Sequence, residues 1–156
     1  MKITDVTTTE FSLGPLERPY WNSIIRTASK GFSRVEVHTD EGVTGMSFGG
    51  QRGHLVGRFR DLLIGQDPLN AEACWDRLYA YNRKPVAKGE YISAIGVIDI
   101  ALWDLRGRAL NLPCWRLLGG HRQRVPVYAA GGYYEEGKGI AELVQEMTGF
   151  VDLGYR

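Results

Sequence analysis

The chain has 156 residues, with 19 Lys plus Arg against 18 Asp plus Glu, 44% hydrophobic residues and 11% aromatic ones, the balance of an ordinary globular protein rather than a disordered one. A formal charge of +1, with both signs interspersed, leaves no basic stripe for a phosphate backbone and no polybasic run for an anionic membrane, so neither nucleic acid nor a membrane is an expected partner. The longest apolar stretch, 91–103, is broken by Asp99 and falls short of the roughly 20 residues a bilayer span needs. Residues 1–5 lead into no apolar signal core, and a cytoplasmic location is expected. Cys74 and Cys114 lie far apart within apolar helical patterns and read as core thiols, not as a disulfide framework or a Cys-rich metal site. Length bounds the architecture as well: a complete (β/α) barrel needs roughly 250 residues, so any barrel in this chain is a fragment.

In chain order, residues 2–11 alternate Ile3, Asp5 and Thr7 against Thr4, Val6 and Thr8, a strand pattern rich in β-branched types. Between Ser12 and Gly31 about twenty residues, including Gly14, Pro15, Pro19, Tyr20, Trp21 and Arg26, show no period, and a connection longer than about 12 to 15 residues in a compact domain is usually functional or disordered. Its aromatic pair favours a lid that packs on something. From Ser33 to Asp40, Val35, Val37 and Thr39 fall on one face and Arg34, Glu36 and His38 on the other; Asp40-Glu41-Gly42 makes a turn, and Val43–Phe48 returns. The start of the chain is therefore read as a three-stranded antiparallel meander.

Helical spacing follows. Leu55, Val56, Phe59, Leu62 and Leu63 form one amphipathic stripe ending near Gly65, and Ala71, Cys74, Trp75, Leu78 and Tyr79 form another after Asp67-Pro68. From Glu90 to Leu110, Tyr91, Ile95, Ile98, Leu102, Leu105 and Ala109 step by four and three, with Ile92, Val97, Ala101 and Trp103 beside them. That helix must be covered on most sides and should be central. A short helix over 113–118 closes at Gly119-Gly120. Val125–Gly131 is then nearly continuously apolar, as a strand buried on both faces would be, and precedes a helical pattern of Ile140, Leu143, Val144, Met147 and Val151. A parallel strand with its crossover helix needs a second parallel strand, which would begin where Gly154-Tyr155-Arg156 ends the chain. The architecture reads as interrupted there.

Residue types disclose no reaction. His38, His54 and His121 have no second ligand at metal spacing, no carboxylate pair stands out as acid and base, and there is no phosphate loop, dinucleotide fingerprint or nucleophile elbow. Asp99 and Asp104 on the apolar helix are assigned to architecture, satisfied by Arg106, Arg108 or nearby hydroxyls. Gly49-Gly50 and Gly131-Gly132 each end an expected strand, where glycine permits either a sharp exit or close approach to a ligand.

The run Ala94-Ile95-Gly96-Val97-Ile98-Asp99-Ile100-Ala101-Leu102-Trp103-Asp104-Leu105, continuing through Arg106-Gly107-Arg108-Ala109-Leu110-Asn111-Leu112-Pro113 to Leu117-Leu118-Gly119-Gly120, resembles the mandelate racemase and muconate lactonizing enzyme family of the enolase superfamily. Thr39–Gly45 is similar to that family's hairpin and Val125–Ala129 to its first barrel strand; Met46-Ser47 departs from the polar or acidic residue many relatives carry. The resemblance implies an α+β fold: an enolase-like N-terminal capping domain over residues 1–124, with its three-stranded meander and helical bundle, followed over 125–156 by the first βα unit of a TIM-type barrel. It implies a magnesium-dependent racemase, dehydratase or cycloisomerase that removes the proton next to a carboxylate and stabilises an enediolate.

By position the resemblance makes Ser12–Gly31 the first capping loop, Phe48-Gly49-Gly50-Gln51 the second, and Gly131-Gly132-Tyr133 the exit into the active-site mouth. Tyr20, Trp21, Arg26, Phe48 and Tyr133 are accordingly the expected substrate-binding residues. No catalytic residue and no metal ligand can be assigned, because the family's lysine motif, metal carboxylates and later base would all lie beyond Arg156. The expected partners are a small carboxylate, with Arg18 and Arg26 hinting at a sugar acid, and further copies of the chain in a homo-oligomer. A stand-alone cap-like binding or assembly module, and an inactive degenerate fragment, are the competing readings.

Overall fold

The computed structural model describes residues 1–50, 53–81 and 89–155, leaving Gln51 of the expected second loop and Arg156 outside the described residues. Its elements run β1 (Ile3–Trp21), β2 (Arg26–Thr39), β3 (Thr44–Gly49), α1 (Gly53–Val56), α2 (Arg60–Leu63), α3 (Ala71–Tyr81), α4 (Glu90–Ala109), α5 (Cys114–Leu117), β4 (Tyr134–Glu135) and α6 (Ile140–Asp152). The strands join in the order β3-β2-β1-β4, so the fold is α+β with the expected meander and a fourth, unforeseen short strand. The chain divides into two units, one of residues 1–12 and 31–121, the other of 13–30 and 122–156.

In the first unit β2 and β3 pair antiparallel from Ser33↔Gly49 to His38↔Thr44, and Val35 and Val37 are fully buried while Arg34, Glu36 and His38 stay half-exposed. The linking turn needs Gly42, whose φ of 77° lies in the left-handed region. Strict alternation fails in β1, where Ile3 and Val6 are both buried. Its amino-terminal end is also bonded from outside the sheet: the Ile3 N–H donates to the Gln66 carbonyl (2.9 Å), and the Gly65 N–H donates to the Ile3 carbonyl (2.8 Å). The single helix expected over 55–63 is two short ones. Between α1 and α2 the Arg58 and Phe59 N–H groups bond back only three residues, to Leu55 and Val56, and Gly57 interrupts the stripe where a helix interior disfavours glycine.

α4 is central, as its pattern requires. Ala94, Ile95, Ile98, Ala101, Leu102 and Leu105 are buried against Val35, Val37, Val56, Phe59, Leu63 and Leu78, whereas Ile100 faces outward. β3 lies directly on this helix at Gly45, where an added Cβ would stand 2.5 Å from the Leu105 Cβ and closer still to the Ala101 carbonyl oxygen. Polar ties lock the contact. Asp104 accepts the Met46 N–H at 2.8 Å and the Arg108 Nε–H at 2.8 Å, and the Ser47 hydroxyl donates to the Val97 carbonyl at 2.6 Å. Asp104 is therefore architectural, with Arg108 one of its partners as expected. Asp99 is half-buried, and burial raises its pKa above the usual carboxylate range, opposed by the nearby Arg106 charge and a hydrogen bond from Trp103. Cys74 is buried and Cys114 only half-buried, its thiol donating to the Trp103 carbonyl at 3.4 Å, so one of the two expected core thiols is not in the core.

The second unit corrects two expectations. The aperiodic stretch from Ser12 to Gly31 is a β-hairpin arm: β1 runs on to Trp21 and β2 begins at Arg26. Its turn is built by Asn22, whose side-chain oxygen accepts the Ile24 and Ile25 N–H groups at 2.9 and 2.8 Å while its own N–H donates to the Ile25 carbonyl. Most of the arm is exposed, so no face had to be apolar and the period-2 signal vanished although the backbone pairing did not. Val125–Gly131, expected as a strand buried on both faces, joins no sheet among the described residues; Val125, Val127 and Tyr128 are 67%, 74% and 89% exposed. An apolar run becomes a buried parallel strand only where neighbouring strands and helices cover it, and among the described residues none does. α6 forms over the expected residues, with Ile140, Val144 and Val151 exposed.

Candidate functional site

Four of the five expected substrate-binding residues come together in the second unit. The last residues of β1 pair with β4 through Tyr20↔Glu135 and Trp21↔Tyr134. This register sets the Tyr20 ring 5.0 Å from that of Tyr133 and the Trp21 ring 6.4 Å from that of Tyr134. Both contacts are tilted, an arrangement that aromatic quadrupoles favour over face-to-face stacking. Two cations complete the cluster, the Arg26 guanidinium 5.9 Å from the Trp21 ring centroid and the Lys30 ammonium 5.1 Å from that of Tyr20. Phe48 belongs to the first unit, 60% exposed at the end of an aromatic row in which Phe32 stacks on Phe11 at 4.8 Å and meets Phe48 edge-on at 5.9 Å.

The aromatic cluster borders a cleft of about 440 Å³ lined by Trp21, Asn22, Ser23 and residues 128–134, a wall of rings with an amide and a hydroxyl at its rim. Such a surface suits a polyhydroxylated ligand, whose C–H faces pack on rings while its hydroxyls meet polar rim groups. Arg18 lies elsewhere. It lines a cleft of about 740 Å³ together with Lys138 and with Glu17, Glu135, Glu136, Glu142 and Glu146, an excess of carboxylates over cations that disfavours an acid. Of the two arginines that hinted at an acid, only Arg26 stands beside the aromatic wall.

Tyr133 and Tyr134 sit on a loop held by charge. The Lys138 ammonium donates to the Tyr133 carbonyl at 2.8 Å and pairs with Glu146 at 2.5 Å and Glu135 at 3.6 Å, while Glu146 accepts the Gly132 N–H at 3.2 Å. The Lys138 hydrogen bond, seconded by that of Gly132, holds the Glu146 carboxyl below its usual range, and Glu146 raises the Lys138 pKa in return. Gly131 and Gly132, read as a strand exit, pack on α6: a Cβ on Gly131 would stand 2.5 Å from the Phe150 ring, and Gly132 has a φ of 76°. Sequence reasoning missed Lys30, Tyr134, Lys138 and Glu146. Only the spacing of Glu135 and Lys138 offered a signal, because the eight residues from Lys138 to Glu146 match no helical or strand neighbour rule. Among the described residues no group of three or more His, Cys, Asp or Glu side chains is placed to hold a metal ion; the resemblance assigns the magnesium ligands to positions beyond Arg156. Among the same residues no helix is long and apolar enough to cross a membrane.

The sequence and the fold are similar to those of known proteins. Residues 5–119 match the family model described as "Mandelate racemase / muconate lactonizing enzyme, N-terminal domain". A D-mannonate dehydratase of Rhizorhabdus wittichii is 33% identical over 144 residues, covering 85% of this chain and 34% of that protein. A D-galactonate dehydratase family member of Halomonas elongata is 34% identical over 152 residues, covering 90% of this chain and 35% of its own length. The crystal structure of a mandelate racemase/muconate lactonizing enzyme-like protein from Rubrobacter xylanophilus superposes with a TM-score of 0.86 at 26% identity, over 99% of this chain and 43% of that one. The chain thus spans about a third of the length of the curated relatives it matches.

Proposed function

Because the chain belongs to the mandelate racemase/muconate lactonizing enzyme family as its N-terminal domain, we propose that it is the substrate-capping part of a sugar-acid dehydratase or racemase. The enzyme as a whole would act as a lyase or isomerase, removing the proton next to the carboxylate and leaving an enediolate. The proposal includes a cytoplasmic location and a homo-oligomeric assembly. Magnesium, which the resemblance implies, finds no ligand set among the described residues.

One observation carries the proposal: the β1–β4 register gathers Tyr20, Trp21 and Tyr133 into one aromatic wall with Arg26 beside it. Relatives named D-mannonate dehydratase and D-galactonate dehydratase support a polyhydroxylated carboxylate as the substrate class. The rings cover its C–H faces and keep water from the carbon that loses its proton, and Arg26 attracts the acid. The test is Tyr20→Ala with Trp21→Ala in the protein as its gene encodes it, assayed by α-proton exchange and dehydration of D-mannonate and D-galactonate. Loss of both rings weakens substrate or transition-state binding by about 2 to 4 kcal/mol if the closed cap buries them, with little change in melting temperature. A large fall in melting temperature at unchanged kcat/KM would assign the rings to packing and remove the capping role.

A further inference from the structure

We propose that Lys138 is a positioning residue: gripped by Glu146 on α6, it fixes the loop from Gly131 to Gly137 and so sets Tyr133 against Tyr20 in the aromatic wall. This rests on the capping reading above. The Lys138 ammonium donates to the Tyr133 carbonyl and to Glu146, and a longer ion pair at 3.6 Å links it to Glu135. Its side chain is only 12% exposed although the loop around it is largely open. Glu146 works from both ends, pairing with Lys138 and accepting the Gly132 N–H one residue before Tyr133. Both bonds to the loop are to its backbone, at the residues flanking and bearing the ring. Glycine at 131 and 132 gives this backbone the greatest conformational freedom of any residue type, and the clamp restricts it at the residues beside the ring that stands 5.0 Å from Tyr20. The β1–β4 ladder brings the loop to Tyr20 but ends at Tyr134, so the last step to Tyr133 is fixed by the bonds from Lys138 and Glu146. Melting temperature separates a positioning role from a structural one, because a clamp confined to one loop moves KM without moving global unfolding.

The experiment compares Lys138→Met, Glu146→Gln and the rescue variant Lys138→Arg in the full-length protein, with D-mannonate and D-galactonate as probes. Lys138→Met and Glu146→Gln are expected to raise KM about tenfold with kcat nearly unchanged, Lys138→Arg to regain most of it, and the melting temperature to move by less than about 2 °C. A parallel readout needs no turnover: the nuclear Overhauser contact between the Tyr20 and Tyr133 rings is lost in Lys138→Met and kept in Lys138→Arg. Unchanged KM, absence of rescue, or a melting temperature that falls in step with KM would overturn the positioning role. If the wild-type protein binds neither acid, the capping reading fails. The ring contact then decides the matter by itself: its loss only in Lys138→Met upholds the clamp, and its persistence in both variants refutes it.

Discussion

α4 and α6 carry equally plain helical patterns and meet opposite fates. The longer helix buries Ile95, Ile98, Leu102 and Leu105 completely, while no residue of α6 is buried and Val144 is 58% exposed. Periodicity reports which face of a helix is suited to burial; it carries no information on whether anything covers that face. The first unit is held by a contiguous apolar core, the second by backbone pairing, the Asn22 turn, ring contacts and the Lys138 clamp. Stability and site geometry are accordingly assigned to different residues.

The sharpest way to break this contrast is a pair of truncations. Leu102→Ala leaves a cavity in the first core and should cost about 3 kcal/mol in denaturant unfolding, whereas Val144→Ala on α6 should cost less than about 0.5 kcal/mol. A cost above about 1.5 kcal/mol for Val144→Ala would mean that the α6 face is covered in the protein as assembled. Glycines provide the next probe. Gly45→Ala drives a methyl into α4 at Leu105 and should cost about 2 kcal/mol, while Gly50→Ala, with no atom within 4 Å of the new Cβ, should be close to neutral. Smaller again is Asp104→Ala, which strands the Met46 N–H beside α4; about 1.5 kcal/mol is expected, with Asp104→Asn milder because the amide oxygen still accepts that bond.

The same contrast explains what could be read in advance. Val35, Val37, Ile98 and Leu102 announced the first unit because burial there is one-sided and periodic, and the run through α4 also carried the family resemblance. The hairpin arm was illegible because Pro15, Pro19 and the polar residues around them leave no apolar face, and its cues are an Asx turn at Asn22 and a register set by two residues of β4. Val125–Gly131 shows the opposite case: its composition fits a doubly covered strand, but composition cannot supply the cover, and among the described residues no strand pairs with it. Of the residues proposed for the site, Tyr20, Trp21, Arg26 and Tyr133 were singled out through the resemblance, whereas Lys138 and Glu146 were hidden because their pairing is a property of the folded loop.

The finest test of the comparison uses the two thiols, both within the first unit. Cys74 lies inside the core and burial raises its pKa above the ordinary thiol value of 9.0, while Cys114 is half-buried at the start of α5. Only the thiolate reacts with iodoacetamide, so at pH 8 Cys114 should alkylate in the native protein and Cys74 only as fast as the unit unfolds. The sign for stability follows from the same shift. The folded state keeps the Cys74 proton at a pH where the unfolded chain has released it, so stability is intact below the ordinary thiol pKa and declines as pH rises through it. Cys74→Ala should flatten that decline in denaturant midpoints measured between about pH 8 and 10, the range spanning a normal thiol titration. Alkylation of Cys74 at the rate of Cys114 would show α3 opening independently of α4, and the first unit would then no longer be a single cooperative core.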